Sequence, residues 1–320
     1  MELPWQIHNQ AVRFSGQFVQ RQMPSISAAK TLIQRARAQN EAPLTTPSDL
    51  ASLVLDPYKF YHPSPDVYEL FLLGDSGQAD PNRVMIFGRD NHRNWVQDMD
   101  RVFIDGTFPL ASTLFSQVFV ILAKRVEYMF PVMYALLPNK RQETYDGLFG
   151  PIKTIWPVFN PTSIYLDFEM AVMNSVRQAF ARAELHGCLF HQTKNMRLQL
   201  SENGLLQRFS AEPRFALHAR MIVALAFVPT DNLGDAFDAL SNELPNELRP
   251  ILNWLEDNYI GGPGRNNRRS RPALFPPEIW SMYQRTISGI DRTNDHAEAA
   301  HRRLKRELDV VHPSICKFIQ

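Results

Sequence analysis

Residues 100–108 read DRVFIDGTF, an apolar strand-forming run that stops at the pair Asp105-Gly106. Two similar runs follow closely, SQVFVILAK at 116–124 and EYMFPVMYALL at 127–137, both rich in Val, Ile, Phe and Tyr. That composition suits strands, and the few residues between the second and third favour antiparallel pairing. RQETYDGLFGPIKTIW (141–156) sets Leu148, Ile152 and Ile155 on one helical face, with Gly150-Pro151 as a candidate kink. TSIYLDF (162–168) reads as a fourth strand ending at Asp167, and EMAVMNSVRQAFARA (169–183) as a helix. HGCLFH (186–191) reads as a short fifth strand and QTKNMRLQL (192–200) as a further helix. The order β, β, β, α, β, α, β, α predicts an α/β fold, a mixed sheet flanked by helices. Strands one and four then lie side by side in its middle, which brings Asp105 next to Asp167.

Upstream, residues 1–83 form a helical and connector region. MPSISAAKTLIQRARAQ starts a helix at Ser25 or Ser27, prolines at 43, 47, 57, 63 and 65 break the chain, and RVMIFG (83–88) is a strand. The core is expected at 84–203, an all-helical insertion at 204–290, and a final helical segment at 291–320 that completes the core. Within the insertion PRFALHARMIVALAF, TDNLGDAFDALSNEL and NELRPILNWLEDNY carry helical apolar spacing, with Thr230 or Asp231 as the expected cap of the second. GGPGRNNRRSRP (261–272) is a basic loop holding Arg265, Arg268, Arg269 and Arg271.

Composition bounds the function. Of the 320 residues 44% are hydrophobic and 11% aromatic, enough to bury a core and to exclude a mostly disordered chain. The longest apolar runs, such as Val118 to Ala123 and Met221 to Val228, fall far short of the ~20 residues that span a bilayer. MELPWQIHNQ lacks the basic-then-apolar layout of a secretory signal, and Cys188 and Cys316 alone make no disulfide framework. A reducing compartment, cytosol or nucleus, is therefore expected. Residues 260–320 hold 11 Lys and Arg against 6 Asp and Glu, whereas the net charge of the whole chain is only +1. A basic end on a near-neutral protein points to a polyanion-binding face.

Clustered carboxylates repel by about 4 kcal/mol per close pair at an effective dielectric near 20, so they make sense mainly around a cation. Two divalent ions ~4 Å apart on carboxylates from separate elements are the usual apparatus for phosphodiester chemistry. Asp105 and Asp167 supply two such groups, although Asp-Gly is also a turn pair and Asp167 could equally cap the helix behind it. A third is expected from the last helix, where Asp291, Asp295, Glu298 and Arg302 recur at spacings of four, three and four. Periodicity alone does not choose between Asp295 and Glu298. HAEAAH separates His296 and His301 by five positions, which excludes the zinc-protease spacing.

These stretches resemble the transposases of Mutator-like elements, the MULE family. The matching segments are VFIDGTF, FPVMYALLPNKRQETYDGLF, IYLDFEMAVMNSV, GCLFH, ALAFVP, FPPEIWSMY, RTNDHAEAAHRRL and HPSICKFI. Each is weak alone, but their order over some 230 residues is specific. The resemblance implies an RNase-H-like fold and an Asp-Asp-Glu triad, Asp105, Asp167 and Glu298, holding two Mg²⁺ or Mn²⁺ ions for DNA cleavage and strand transfer. The family's CxxH pair falls on Cys188 and His191, a possible second metal site; zinc there would need two more ligands, for which His186 and His301 are the candidates. The implied partners are double-stranded DNA, both element ends and target, and further copies of the chain assembled on it in the nucleus. Arg265, Arg268, Arg269, Arg271, Arg302 and Arg303 are the candidate phosphate contacts. The chain departs from the family in having no Cys, and so no Cys-based zinc finger, in residues 1–80, and it ends at Gln320 inside an expected helix, as a fragment would. The rival readings are a domesticated, non-cutting DNA-binding regulator on the same fold and a structure-selective nuclease.

Overall fold

The structure, a computed structural model, describes residues 4–16, 19, 22–40, 47–54, 59–64, 66–262, 271–308, 312–315 and 318. Its strands are β1 (Phe60–Ser64), β2 (Val67–Leu70), β3 (Leu72–Asp75), β4 (Met85–Phe87), β5 (Arg101–Thr107), β6 (Gln117–Arg125), β7 (Tyr128–Leu137), β8 (Ser163–Leu166) and β9 (Glu184–Gly187). Its first α-helices are α1 (Pro4–Phe14), α2 (Ile26–Asn40), α3 (Gln142–Ile155), α4 (Met170–Ala179) and α5 (Leu189–Glu202). Then come α6 (Leu206–Ala211), α7 (Pro213–Ala224), α8 (Leu233–Glu243), α9 (Arg249–Leu255), α10 (Pro277–Trp280), α11 (Tyr283–Ile287) and α12 (Asp295–Leu308).

β1 and β2 form a separate hairpin, and the other seven strands form one sheet in the order β3-β4-β7-β6-β5-β8-β9. β5, β6 and β7 are the expected antiparallel meander, and β8 and β9 add parallel on the other side of β5. This is a mixed α/β sheet flanked by helices, consistent with an RNase-H-like fold. Pro131 is tolerated within β7 because it falls at a register shift opposite Leu122, beyond the reach of short β4, where no ladder bond is lost. The sheet also reaches back to β3, whose residues VYELFLL presents as a single apolar run; a break after Leu70 divides that run between the hairpin and the sheet.

Alternation along β5 sorts its side chains. Val102 and Ile104 join the large core under α3 and α4, while Phe103 faces a smaller cluster with Val120, Tyr165 and Ala297 of α12. Asp105 therefore shares the α12 side with Phe103. The large core continues without a break into the insertion, through Phe215, Ile222, Leu252, Tyr259 and Trp280. Phe168 is the splice, its ring 5.1 Å from that of Tyr259 and 5.2 Å from that of Phe275.

Three local expectations differ from the structure. The strand expected over 186–191 ends at Gly187, where the Phe168 ring leaves no room for a Cβ, and Leu189 already begins α5. Neither Thr230 nor Asp231 caps α8: both lie in a 3₁₀ turn, and Asn232 at the cap position makes no side-chain bond. Asp291 precedes α12 instead of lying on it, and its carboxylate points to Lys124, 3.8 Å away. The helix expected over 141–156 forms and runs through Gly150-Pro151 without interruption, and Ser25 accepts the Ala28 amide at the start of α2 as expected.

Candidate active site

The register of β5 against β8 pairs Phe103 with Tyr165, so two residues further on Asp105 stands level with Asp167. β8 ends at Leu166, and Asp167 does not cap α4; its Oδ1 takes the neighbouring Phe168 amide at 2.6 Å, and Glu169 occupies the cap position. Asp105 Oδ1 likewise takes the Gly106 amide at 2.9 Å. Gly106 is needed here, since a Cβ would collide with the buried amide of Gln117.

The third carboxylate arrives on α12, which Asn294 anchors. Its side-chain amide donates to the Ile104 carbonyl at 2.9 Å and its backbone N–H to Cys188 Sγ at 3.0 Å. One buried residue thus pins the start of α12 to β5 immediately before Asp105 and to the start of α5. Asn294, Ala297 and His301 form the buried stripe of the helix, and Glu298 beside them lines the same cleft as Asp105 and Asp167. Asp295 is exposed and does not line it.

The cleft has a volume of about 470 Å³ and is also bounded by Phe108, Lys140, Tyr145, Glu169, His191 and Lys194. Among the described residues no Lys or Arg forms an ion pair with Asp105, Asp167 or Glu298. Among the described residues the basic side chains within 4.0 Å of these carboxylates are two histidines. His191 Nε2 lies 3.9 Å from Asp105 Oδ1 and its Nδ1 lies 4.0 Å from Asp167 Oδ1. His301 Nδ1 lies 3.5 Å from the other Asp105 oxygen. Asp105 is only 8% exposed, and burial, followed by the charges of Asp167 and Glu298, pushes its carboxyl up to about 7. Burial drives His301 down to about 4, with His191 adding to the shift, and lowers His191 as well. Both imidazoles are therefore neutral near pH 7 and can accept as well as donate.

A polar network that the sequence did not announce flanks the carboxylates. Gln117 Nε2 donates to the Tyr145 hydroxyl at 2.9 Å, which donates to Glu169 Oε1 at 2.7 Å. Lys140 Nζ donates to Glu169 Oε2 at 2.6 Å and rests over the Phe108 ring. The four polar residues come from β6, α3, the end of β8 and the turn after β7, so only the assembled fold unites them.

At the suggested second metal site, Cys188 and His191 do not share one convergent group of ligand atoms. Cys188 Sγ accepts the Asn294 amide, burial raises its thiol, and it is absent from the metal-holding group of Asp105, His191 and Glu298. His186 stacks on Tyr165 instead. Of the candidate DNA contacts, Arg302 and Arg303 lie exposed on α12, Arg303 paired with Glu307, and Arg271 pairs with Asp257. Arg265, Arg268 and Arg269 lie outside the described residues. A second pocket, of about 270 Å³ around Arg89, Trp95 and Arg125, sits toward the start of β5 and contains no carboxylate.

No curated protein matches the chain. Residues 101–195, from the start of β5 into α5, match the model of the MULE transposase domain; this segment contains Asp105, Asp167, Cys188 and His191, with Glu298 beyond its end. That segment of the chain is therefore similar to the MULE transposase domain, and it carries the two strand-end carboxylates described above.

Proposed function

We propose that this chain is a DNA transposase whose cleft cuts DNA at element ends and joins the freed 3′ ends to target DNA, with Asp105, Asp167 and Glu298 as the catalytic acids. The observation that carries the reading is the convergence of three carboxylates from three separate elements without a Lys or Arg ion pair among the described residues. The donor set fits divalent cations. It offers hard carboxylate oxygens, a carboxyl whose proton affinity is raised by its own neighbours, and buried imidazole nitrogens without hydrogen-bond partners. Divalent ions held by Asp105, Asp167 and Glu298 would supply Lewis-acid polarisation of the scissile phosphate.

The remaining work falls to the chain itself. The Gly106 and Phe168 amides fix one oxygen of each aspartate, so the other oxygens point in a set direction. Lys140 and Lys194 line the cleft and can meet the phosphates on either side of the cut. Glu169 and Tyr145 hold Lys140 in place until DNA arrives. Arg302 and Arg303 extend the basic path along α12, and the insertion, wedged on Phe168, is a platform for DNA or for a second copy. A nuclear location follows from such a substrate.

The test is Mn²⁺-dependent cleavage and joining on labelled duplex DNA. Activity should disappear in Glu298→Gln and survive in Asp295→Asn, and DNA affinity should fall steeply with salt. Salt-sensitive binding by a native chain that never cuts would replace this reading with that of a non-cutting DNA binder.

A further inference from the structure

The donors around Asp105 are not all carboxylates. Asp105, His191 and Glu298 each present one ligand atom, and the three atoms lie within 4.8 Å of one another. Separations of this size close onto one ion, at bonds of about 2.1 Å, with small side-chain adjustments. The His191 side chain is 4% exposed, and its Nδ1 has no hydrogen-bond partner. Leaving that nitrogen unsatisfied costs about 1–3 kcal/mol, a cost that a small turn of the ring toward Asp167 Oδ1, 4.0 Å away, removes. The ring turns Nε2 to Asp105 and Nδ1 to Asp167 Oδ1. One nitrogen toward the ligand atoms and the other toward a carboxylate is the layout of a metal-bound histidine whose far N–H is oriented by an acid. His301 is the weaker candidate: it faces the other oxygen of Asp105 and lies outside the group of three.

We propose that His191 Nε2, with Asp105 and Glu298, is a ligand of one cation site in the cleft, and that Asp167 Oδ1 orients its ring. The mixed nitrogen–oxygen set then makes the site select Mn²⁺ or Co²⁺ over Mg²⁺. Imidazole suits the later divalent metals, whereas Mg²⁺ keeps to oxygen donors. Asp167 Oδ2 stays available to a second ion. The proposal rests on the reading of the cleft as a metal-dependent nuclease centre.

The experiment is titration of the full chain with Mn²⁺ alone, read by calorimetry and by pulsed electron paramagnetic resonance. Bound Mn²⁺ should show coupling to an imidazole nitrogen, and Mg²⁺ should displace it only at more than about tenfold excess. His191→Gln should abolish the coupling and weaken Mn²⁺ binding roughly 10- to 100-fold, whereas His301→Gln should retain the coupling. Histidine labelled with ¹⁵N in the unmutated chain gives an independent answer should the buried variant fold poorly, because the coupling must move to the ¹⁵N frequencies. Bound Mn²⁺ without nitrogen coupling, or a coupling lost only in His301→Gln, overturns the proposal and leaves the nuclease reading standing. Failure to bind Mn²⁺ at all overturns both.

Discussion

Replacing Asp105 by Asn should stabilise the metal-free protein at neutral pH while leaving its stability in mild acid almost unchanged. The folded carboxyl titrates at about 7, pushed up by burial and then by Asp167 and Glu298, against an ordinary value of 3.8 in the unfolded chain. Between those two pH values the folded state keeps a proton that the unfolded state has released. The contribution of Asp105 is therefore intact below pH ~4 and is lost as pH rises through about 7, at up to ~1.4 kcal/mol per unit. From pH 4.5 to pH 8 the loss amounts to about 3 kcal/mol, and the amide of Asp105→Asn never incurs it. His301 works in the opposite direction. Its folded value of about 4 lies below the ordinary 6.5, so its contribution is present above pH 6.5 and lost as pH falls toward 4. In the native chain the two slopes oppose each other and flatten the profile; in Asp105→Asn the histidine slope stands alone. Urea unfolding in a chelating buffer at both pH values, for both proteins, reads the contribution of the Asp105 carboxyl, together with its effect on the two adjacent histidines, as the difference between the profiles. Saturating Mn²⁺ at pH 8 should then stabilise the native chain, by about 2.7 kcal/mol at a hundredfold excess over Kd, and do little for the variant. Parallel pH profiles for the two proteins would refute the reasoning, for they would mean that Asp105 is neither desolvated nor crowded by its neighbours.

Two other perturbations test how the insertion holds the site. Arg285 is buried and donates to the carbonyls of Gly187 at 2.8 Å and of Asp291 at 2.6 Å and 3.0 Å, with its guanidinium over Tyr165; Arg285→Met should cost about 2–4 kcal/mol by orphaning both carbonyls, measured by denaturant unfolding, and a loss below about 0.5 kcal/mol would show that those bonds are dispensable. Gly187→Ala drives a methyl into the Phe168 ring, which Tyr259 and Phe275 prevent from retreating; the expected loss is about 1–3 kcal/mol, and a thermal midpoint equal to that of the native chain would show that the ring can move.

The parts of this molecule that were legible in its sequence are those governed by local pattern. Strand composition and short turns announced the β5-β6-β7 meander, and the position of Asp105 and Asp167 at strand ends followed from it. Helical periodicity failed at Asp295 and Glu298 for a physical reason. The buried positions around the start of α12 are Asn294, Ala297 and His301, polar or small, and apolar Leu304 and Leu308 come only in its later turns, so hydropathy near Asp295 and Glu298 does not mark which side faces the sheet. Only the family context distinguished them; in the fold Glu298 lines the cleft with Asp105 and Asp167, and Asp295 does not. The apolar run across Cys188, Leu189 and Phe190 could have continued a strand or begun a helix, and its residues alone do not choose; in the fold β9 ends at Gly187 and the helix starts at Leu189. The Gln117–Tyr145–Glu169–Lys140 network had no local signature, since each of its bonds joins residues 24 to 29 positions apart. The family's motif singled out His191, with His301 as a candidate beside it, but not their approach to Asp105, which they reach from helices 86 and 196 residues further along the chain. Chemistry carried at strand ends can thus be read from strand patterns, because a strand end is defined locally. What surrounds those strand ends approaches through space: here two imidazoles and a lysine held by a glutamate reach the carboxylates from elements far apart in the chain.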